Sequence, residues 1–340
     1  MKAFVPLMLF GFLSLAIAQV DRDSGPHVIV LGLDGLSVDG YARSKSPRIH
    51  ELAARAAWTL EARGVMPTLS SPNWASIISG AGPEQHGITS NGILHKMATL
   101  SPVCHDENGK FPTIFGVLRR QRPSARIAVF HDWDGFADLF EKNAPDMLRH
   151  VAGAAKTIEA AAQYWEQNRP DLMFVHLDNV DHAGHEFGWS SGQYFRAIEQ
   201  ADHYVGVILD MLDRLAVTDS TYIVLTSDHG GKGHNHGKNS ISEIQVPWLL
   251  AGPDTANGTI ATPVYGFDTA ATIMWILGVN PPDCWIGRPV YAAFRSTSTF
   301  SRANSGPSQA RDCATSALPI SAPPSQSPGG GPLAHRDQRN

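Results

Sequence analysis

Four short and nearly continuous apolar segments recur along the chain. They are HVIVLGL at 27–33, RIAVF at 126–130, LMFVHL at 172–177 and TYIVLT at 221–226, and VPWLLAG at 246–252 is a candidate fifth. Each segment is rich in Val, Ile, Leu or Phe, which is typical of strands that are covered on both faces. The pattern therefore predicts the central strands of a buried sheet.

Amphipathic patterns with a helical period lie between these segments. The first, SPRIHELAARAAWTLEA, has a proline near its start and places Leu52, Ala56 and Leu60 on one face. AAKTIEAAAQYWEQN and QYFRAIEQADHYVGVILDMLDRL predict longer helices, and FDTAATIMWILG predicts a helix with Asp268 as its cap and its end at Gly278. Strands that alternate with helices predict an α/β fold, with a mostly parallel central sheet and helices on both faces.

The two ends of the chain break this pattern. Residues 1–18 combine a lysine, a long apolar run and an Ala-Ile-Ala end, which predicts a secretory signal peptide that is cleaved after Ala18. A transmembrane anchor is the alternative, although the run is short for a span and lacks a charged stop. Residues 296–340 are rich in Ser, Pro, Gly and Ala, which predicts a disordered tail. The folded domain is therefore expected at residues 22–295.

Charge and cysteine content narrow the possible functions. The formal net charge is -5 and no basic stripe is present, so binding of bulk nucleic acid is not expected. Secretion permits disulfides, and Cys104 can pair with Cys284, which leaves Cys313 in the predicted tail. We therefore expect a secreted protein, periplasmic or extracellular, without a membrane anchor once the signal peptide is removed.

Acidic and imidazole side chains follow the predicted strands. Asp34 follows the first strand, His131-Asp132 the second, residues 178–185 the third and Asp228-His229 the fourth. Ligands of such sheets bind beyond the carboxyl ends of the strands. Carboxylate oxygens and imidazole nitrogens suit zinc and, less selectively, manganese or iron. Because these residues outnumber the ligands that one ion needs, we predict two divalent metal ions, with Zn²⁺ as the first candidate.

The segment MPTLSSPNWASIISGAGPEQHGI at 66–88 contains the candidate nucleophile, Ser70. Ser70 lies just before WASIISG, which predicts a helix. A serine at this place is commonly a helix cap. The start of a helix also stabilises an oxyanion, and a cation beside the hydroxyl favours its deprotonated, nucleophilic form. The residues alone leave both interpretations of Ser70 open.

Five motifs in a fixed order make the chain similar to a known family. They are LDGL at 33–36, PTLSSPN at 67–73, VDHAGH at 180–185, SDHG at 227–230 and NHG at 235–237. With these motifs the chain resembles the type I phosphodiesterase/nucleotide pyrophosphatase branch of the alkaline phosphatase superfamily. One such motif is weak support, whereas five in order are specific.

The resemblance implies a role for each matched residue. The first metal group that it implies consists of Asp34, Ser70, Asp228 and His229, with Ser70 as both ligand and nucleophile. The second consists of Asp181, His185 and His236. Asn73 would donate a hydrogen bond to the phosphate of the substrate.

Alternative ligands lie close to the chosen ones in the sequence. Asp178 and His182 have the same spacing as Asp181 and His185, three residues earlier. The glycine before His185 matches the family loop and favours the later pair, and the rejected pair would then support the ligands. His234 likewise competes with His236, which the residues that follow it favour.

The sequence also departs from the family. Ser70 stands where this branch usually has threonine, the chain is short for the family, and 93–111 is the one insertion long enough to cap the site. The implied function is a secreted two-metal phosphohydrolase that cleaves phosphodiester or pyrophosphate bonds of a small phosphate ester, such as a nucleotide, through a phosphoserine. A phosphomonoesterase is one alternative. A sulfatase, whose arginine position holds Trp74 here, and a non-catalytic extracellular metal-binding protein are two others.

Overall fold

The computed structural model describes residues 25–92 and 100–295. The predicted signal peptide, the predicted tail with Cys313 and residues 93–99 of the predicted cap segment lie outside the described residues. Within the two described ranges, no helix combines the length and the apolar composition that a membrane span requires.

An eight-stranded sheet forms the centre of the described structure. In chain order its strands are β1 (His27–Leu33), β2 (Ala56–Arg63), β3 (Ile127–His131), β4 (Met147–His150), β5 (Leu172–Leu177), β6 (Thr221–Thr226), β7 (Gln245–Ala251) and β8 (Gly258–Thr259). Their order across the sheet is β4-β3-β5-β1-β6-β7-β2-β8. β7 runs antiparallel to both neighbours, and the other neighbouring strands are parallel. The predicted mostly parallel sheet is confirmed, and all five apolar segments lie in it.

Helices cover both faces of this sheet, as the alternating pattern predicted. They are α1 (Val38–Arg43), α2 (Pro47–Ala54), α3 (Ser70–Ser79), α4 (Pro83–His86), α5 (Ile114–Gln121), α6 (Ala154–Asn168), α7 (Asn179–Phe187), α8 (Gly192–Arg214), α9 (Ile241–Ile244) and α10 (Asp268–Ile276). Val28 and Val30 of β1 pack with residues of α3, α5 and α10, whereas Ile29 and Leu31 pack with residues of α2, α6 and α8. Successive residues of a strand point to opposite faces, so β1 is buried on both sides.

The helix predicted for SPRIHELAARAAWTLEA is wrong in its second half. Helix α2 ends at Ala54, and residues 56–63 form β2, so Ala56 and Leu60 do not continue its apolar face. β2 pairs with β7, for example Ala57 with Leu250. The free edge of β7 supplies backbone partners, and this pairing outweighs the helix preference of an alanine-rich segment.

The predicted cap of the last helix is also wrong. Asp268 is the first residue of α10, and Phe267 holds the cap position. The carboxylate of Asp268 instead accepts hydrogen bonds from the backbone N–H groups of Tyr265 and Arg288. Asp268 therefore fixes two neighbouring loops to the start of the helix. Gly278, with φ 65°, follows the helix end as expected.

Two features of the fold bear directly on the site. The three central strands β5, β1 and β6 are neighbours, and they bring Asp178, Asp34 and Asp228 to the same edge of the sheet. A disulfide between Cys104 and Cys284 joins the described part of the predicted cap segment to the loop after α10, which confirms that pairing.

Candidate active site

The hydroxyl of Ser70 lies at the amino-terminal end of α3. Ser70 is the first residue of the helix and Leu69 holds the cap position, so the interpretation of Ser70 as a helix cap is wrong. The residue is buried, and its Oγ lies 3.2 Å from Nε2 of His229. The end of the helix dipole at this position favours negative charge on the hydroxyl oxygen.

Asp34, Asp228 and His229 form a first group of side chains, whose ligand atoms lie within 4.8 Å of one another. Nε2 of His229 lies 3.2 Å from Oδ2 of Asp228 and 3.5 Å from Oδ1 of Asp34. Nδ1 of His229 donates a hydrogen bond to the carbonyl oxygen of Gly230, so Nε2 keeps its lone pair in the neutral ring. Burial and the neighbouring His236 lower the pKa of His229 to about 3, which keeps the ring neutral.

Asp181, His185 and His236 form a second group within the same 4.8 Å limit. Nε2 of His236 lies 3.0 Å from Nε2 of His185 and 3.7 Å from Oδ1 of Asp181. Nδ1 of His185 and Nδ1 of His236 donate hydrogen bonds to the carbonyl oxygens of His234 and Thr68. The histidines of both groups thus present Nε2 and are oriented through Nδ1, as metal-ligating histidines are.

Three carboxylate oxygens of these groups have no hydrogen-bond partner in the described part of the chain. They are Oδ1 of Asp34, Oδ1 of Asp181 and Oδ2 of Asp228. Burial and then the charge of Asp34 raise the pKa of both Asp181 and Asp228 well above the usual range. Oxygen and nitrogen lone pairs that converge in a buried place repel each other unless positive charge lies between them. The donor set therefore fits divalent cations of the zinc type.

Asp178, the alternative acidic ligand, lies at the same site. It forms a third group of carboxylates with Asp34 and Asp181. Burial and the charge of Asp34 raise its pKa to about 8. Asp178 can therefore serve as a further ligand or as a neighbour of the ligands.

The alternative histidines take other positions. His182 is exposed, belongs to none of the three groups and has Nε2 3.5 Å from the carboxylate of Glu186. His234 is also exposed, and its Nδ1 donates a hydrogen bond to the carbonyl oxygen of His185. His234 therefore supports the backbone of a candidate ligand and is not in the cluster itself.

Asn73, predicted to contact the phosphate, is buried at the first turn of α3. Its Nδ2 donates to the carbonyl oxygens of Val65, Pro67 and Leu69, and its Oδ1 accepts from the N–H of Val65. The amide thus holds the loop that leads to Ser70. A hydrogen bond from Asn73 to a phosphate stays a prediction.

Sequence reasoning missed Asn91. Its Oδ1 accepts a hydrogen bond of 2.8 Å from the backbone N–H of Ser71, which places its amide beside the start of α3. The contact joins residues 20 positions apart, so no local pattern marks it.

Sequence reasoning also missed the residues behind Asp34. Nε1 of Trp74 and Nε2 of His176 donate hydrogen bonds of 2.7 Å and 3.1 Å to Oδ2 of Asp34. Although burial raises the pKa of Asp34, the hydrogen bond from His176 and the nearby imidazoles lower it to about 2. Burial lowers the pKa of His176, but hydrogen bonding to Asp132 and Asp34 raises it to about 10. His176 is the single polar residue in LMFVHL, and that break in the apolar pattern was the available signal.

Known proteins with related sequences and folds match this chain. The model of the family described as "Type I phosphodiesterase / nucleotide pyrophosphatase" matches residues 28–244. Ectonucleotide pyrophosphatase/phosphodiesterase family member 1 of Rattus norvegicus is 26% identical over 218 residues, which are 60% of this chain and 24% of the rat protein. An uncharacterised pyrophosphatase/phosphodiesterase of Schizosaccharomyces pombe is 27% identical over 254 residues, or 67% of this chain and 50% of the yeast protein.

A solved structure has the same fold. Murine ectonucleotide pyrophosphatase/phosphodiesterase 5, an inactive variant in complex with AMP, superposes with a TM-score of 0.64 at 15% sequence identity. The match covers 75% of this chain and 96% of the murine chain. The chain thus spans only a quarter to a half of the two curated relatives named above. Since the family match extends over well more than half of its residues, the chain belongs to the type I phosphodiesterase/nucleotide pyrophosphatase family.

Proposed function

We propose that this protein is a secreted two-metal phosphohydrolase with Ser70 as its nucleophile. It cleaves phosphodiester or pyrophosphate bonds in small phosphate esters such as nucleotides. The observation that carries the proposal is the position of Ser70 Oγ, 3.2 Å from His229 Nε2 and at the start of a helix. A hydroxyl in that place meets the candidate cation ligands and a site that favours negative charge.

Two groups of residues would hold the cations. The first is Asp34, Ser70, Asp228 and His229, and the second is Asp181, His185 and His236. When bound, two cations such as Zn²⁺ supply the positive charge that stabilises the ionised hydroxyl and the phosphoryl oxygens. Asp178 lies close enough to Asp34 and Asp181 to adjust the charge of either group.

The chain's own residues carry out the bond changes. Ser70 Oγ forms a bond to phosphorus while the bond from phosphorus to the leaving oxygen breaks, and the serine proton passes to the leaving group. Water then cleaves the phosphoserine, returns a proton to Ser70 and releases the phosphate product. Asn91 holds the N–H of Ser71 through Oδ1 and thereby keeps its Nδ2 donors for a phosphate oxygen.

Two further observations support the compartment and the substrate. The Cys104–Cys284 disulfide is typical of proteins that mature in an oxidising, secretory compartment. The murine protein with the same fold was determined with AMP, which supports a nucleotide or a similar phosphate ester as the substrate here. No binding of bulk nucleic acid is proposed.

The test replaces Ser70 and, as a matched control, its neighbour Ser71. Ser71 is also buried, and its hydroxyl has no hydrogen-bond partner in the described ranges. In Ser70→Ala, hydrolysis of bis(4-nitrophenyl) phosphate should fall at least about 1,000-fold, because the nucleophile is gone. Ser71→Ala should keep turnover within about threefold. Unchanged hydrolysis in Ser70→Ala contradicts the proposal.

Two additional measurements separate the alternatives. Acid quenching during turnover followed by peptide mass spectrometry should find phosphate on Ser70. Faster hydrolysis of 4-nitrophenyl phosphate than of the diester would favour a phosphomonoesterase. Elemental analysis that finds no bound metal in the folded wild-type protein would contradict the two-metal site.

A further inference from the structure

The two carboxylate oxygens of Asp34 have different surroundings. Oδ2 accepts hydrogen bonds from Trp74 Nε1 at 2.7 Å and from His176 Nε2 at 3.1 Å. Oδ1 has no hydrogen-bond partner among the residues described and lies 3.5 Å from Nε2 of His229. One oxygen is therefore held by the fold, and the other faces the candidate cation ligands.

His176 is fully buried in an aromatic environment. Its ring lies 4.9 Å from the ring of Trp74, 4.8 Å from Phe136 and 5.9 Å from Trp133, measured between centroids. Burying an imidazole among apolar rings is unfavourable unless its nitrogens have partners. Nε2 meets Asp34, and Nδ1 lies 3.6 Å from Oδ1 of Asp132, whose side chain is only 5% exposed.

The sheet fixes the position of this histidine. His176 of β5 is in register with Gly32 of β1 on one side and with His131 of β3 on the other. A Cβ atom at Gly32 would lie 2.6 Å from Cη2 of Trp74. The absence of a side chain at Gly32 therefore lets the indole reach Asp34 across the strand.

We propose that His176 and Trp74 are positioning residues that hold Asp34 through Oδ2, so that Oδ1 alone is presented to a cation. Asp132 orients the imidazole of His176 from the opposite side. This inference rests on the proposed function, since it requires that Asp34 is a metal ligand. If His176 only filled space in the core, an aromatic ring of similar size would serve equally well.

Zinc affinity of the whole protein provides the test, with a chromogenic chelator as competitor. His176→Phe keeps the ring but loses the donor, and it should weaken one of two zinc equivalents about 10- to 100-fold. The other equivalent should change by less than about threefold, because Asp34 belongs to the first group. Trp74→Phe removes the second donor and should weaken the same equivalent.

Two controls separate positioning from packing. In His176→Gln, the side-chain amide can donate to Oδ2 of Asp34 in place of Nε2, so zinc affinity should return to within about threefold of wild type. Trp133→Phe changes another ring beside His176 and should leave both zinc equivalents unchanged. Thermal unfolding of each metal-free variant should be cooperative, which shows that a weakened equivalent does not reflect a lost fold.

Two outcomes overturn the inference: wild-type zinc affinity in both His176→Phe and Trp74→Phe, or a His176→Gln variant as weak as His176→Phe. Either result leaves the proposed function intact, provided that the wild-type protein binds two zinc ions. A wild-type protein that binds no zinc contradicts the proposed function itself and removes the basis of the inference.

Discussion

Buried carboxylates occupy two different kinds of place in this protein. Asp268 has both oxygens engaged, since Oδ1 accepts the N–H of Arg288 and Oδ2 accepts the N–H of Tyr265. Glu141 is similar, because its two oxygens accept the N–H and the hydroxyl of Thr113. In such places the polypeptide itself provides all the partners that a buried carboxylate needs.

The carboxylates at the ends of the central strands differ. Asp34, Asp181 and Asp228 each leave one oxygen without a hydrogen-bond partner within the described ranges, and these oxygens converge with imidazole nitrogens. A buried group of this kind destabilises the fold unless a ligand completes it. The comparison teaches that partner satisfaction, and not burial alone, separates a structural carboxylate from a functional one.

The largest effect is expected where an unsatisfied carboxylate is removed. Asp228→Asn preserves shape but removes a proposed ligand charge, so zinc binding at that group should be lost and turnover should fall at least about 1,000-fold. The metal-free variant should be at least as stable as the metal-free wild type, because a buried carboxyl with a raised pKa costs stability at neutral pH. Zinc analysis, turnover and thermal unfolding with a chelator check this. A metal-free variant that is much less stable would place Asp228 with the structural carboxylates.

The opposite result is expected for a satisfied carboxylate. Asp268→Asn turns one acceptor oxygen into a donor that faces a backbone N–H, so the free energy of unfolding should fall by about 1–3 kcal/mol. Zinc content and turnover of the folded variant should stay within about threefold of wild type. Urea unfolding and zinc analysis measure both. Loss of zinc without loss of stability would contradict the comparison.

The smallest effect concerns a satisfied buried histidine and its pH dependence. His86 accepts the N–H of Ile88 at Nδ1, and Nε2 contacts Ser76 Oγ. Burial lowers the pKa of His86 to about 4. The unfolded state therefore takes up a proton that the folded state does not, and stability is lost as the pH falls from about 6.5 toward 4.

The matched variant for this prediction is His86→Gln, which does not titrate. Between pH 7 and pH 5.5, wild type should lose about 1 kcal/mol more stability than His86→Gln. Urea unfolding of both proteins at the two pH values measures the difference. Equal losses would show that the proton uptake of His86 does not contribute.

Sequence periodicity was most successful for the strands that are buried on both faces. All five apolar segments lie in strands of the sheet, because continuous Val, Ile and Leu runs have few other stable placements. The segment at 56–63 was mistaken for a helix, since alanine-rich sequences fit a helix until a neighbouring strand edge competes for their backbone.

The residue types around the site were also legible in the sequence. Asp34, Asp228 and His229 follow predicted strands, and the structure brings them together because parallel neighbours end at one edge. The choice between His234 and His236 needed the tertiary structure, in which only His236 joins Asp181 and His185. Loop conformation decides that choice, and two residues of sequence separation carry no information about it.

The sequence by itself determined the α/β class, the resemblance to a phosphodiesterase family and the chemical character of the strand ends, because these depend on local periodicity and residue type. Only the tertiary structure decided which oxygens are left unsatisfied, that Asn73 holds a loop, and that His176 and Trp74 support Asp34. Such contacts join distant parts of the chain through a precise register of strands and helices. Local sequence cannot encode them, since the partner of each atom is set by the packing of the whole sheet.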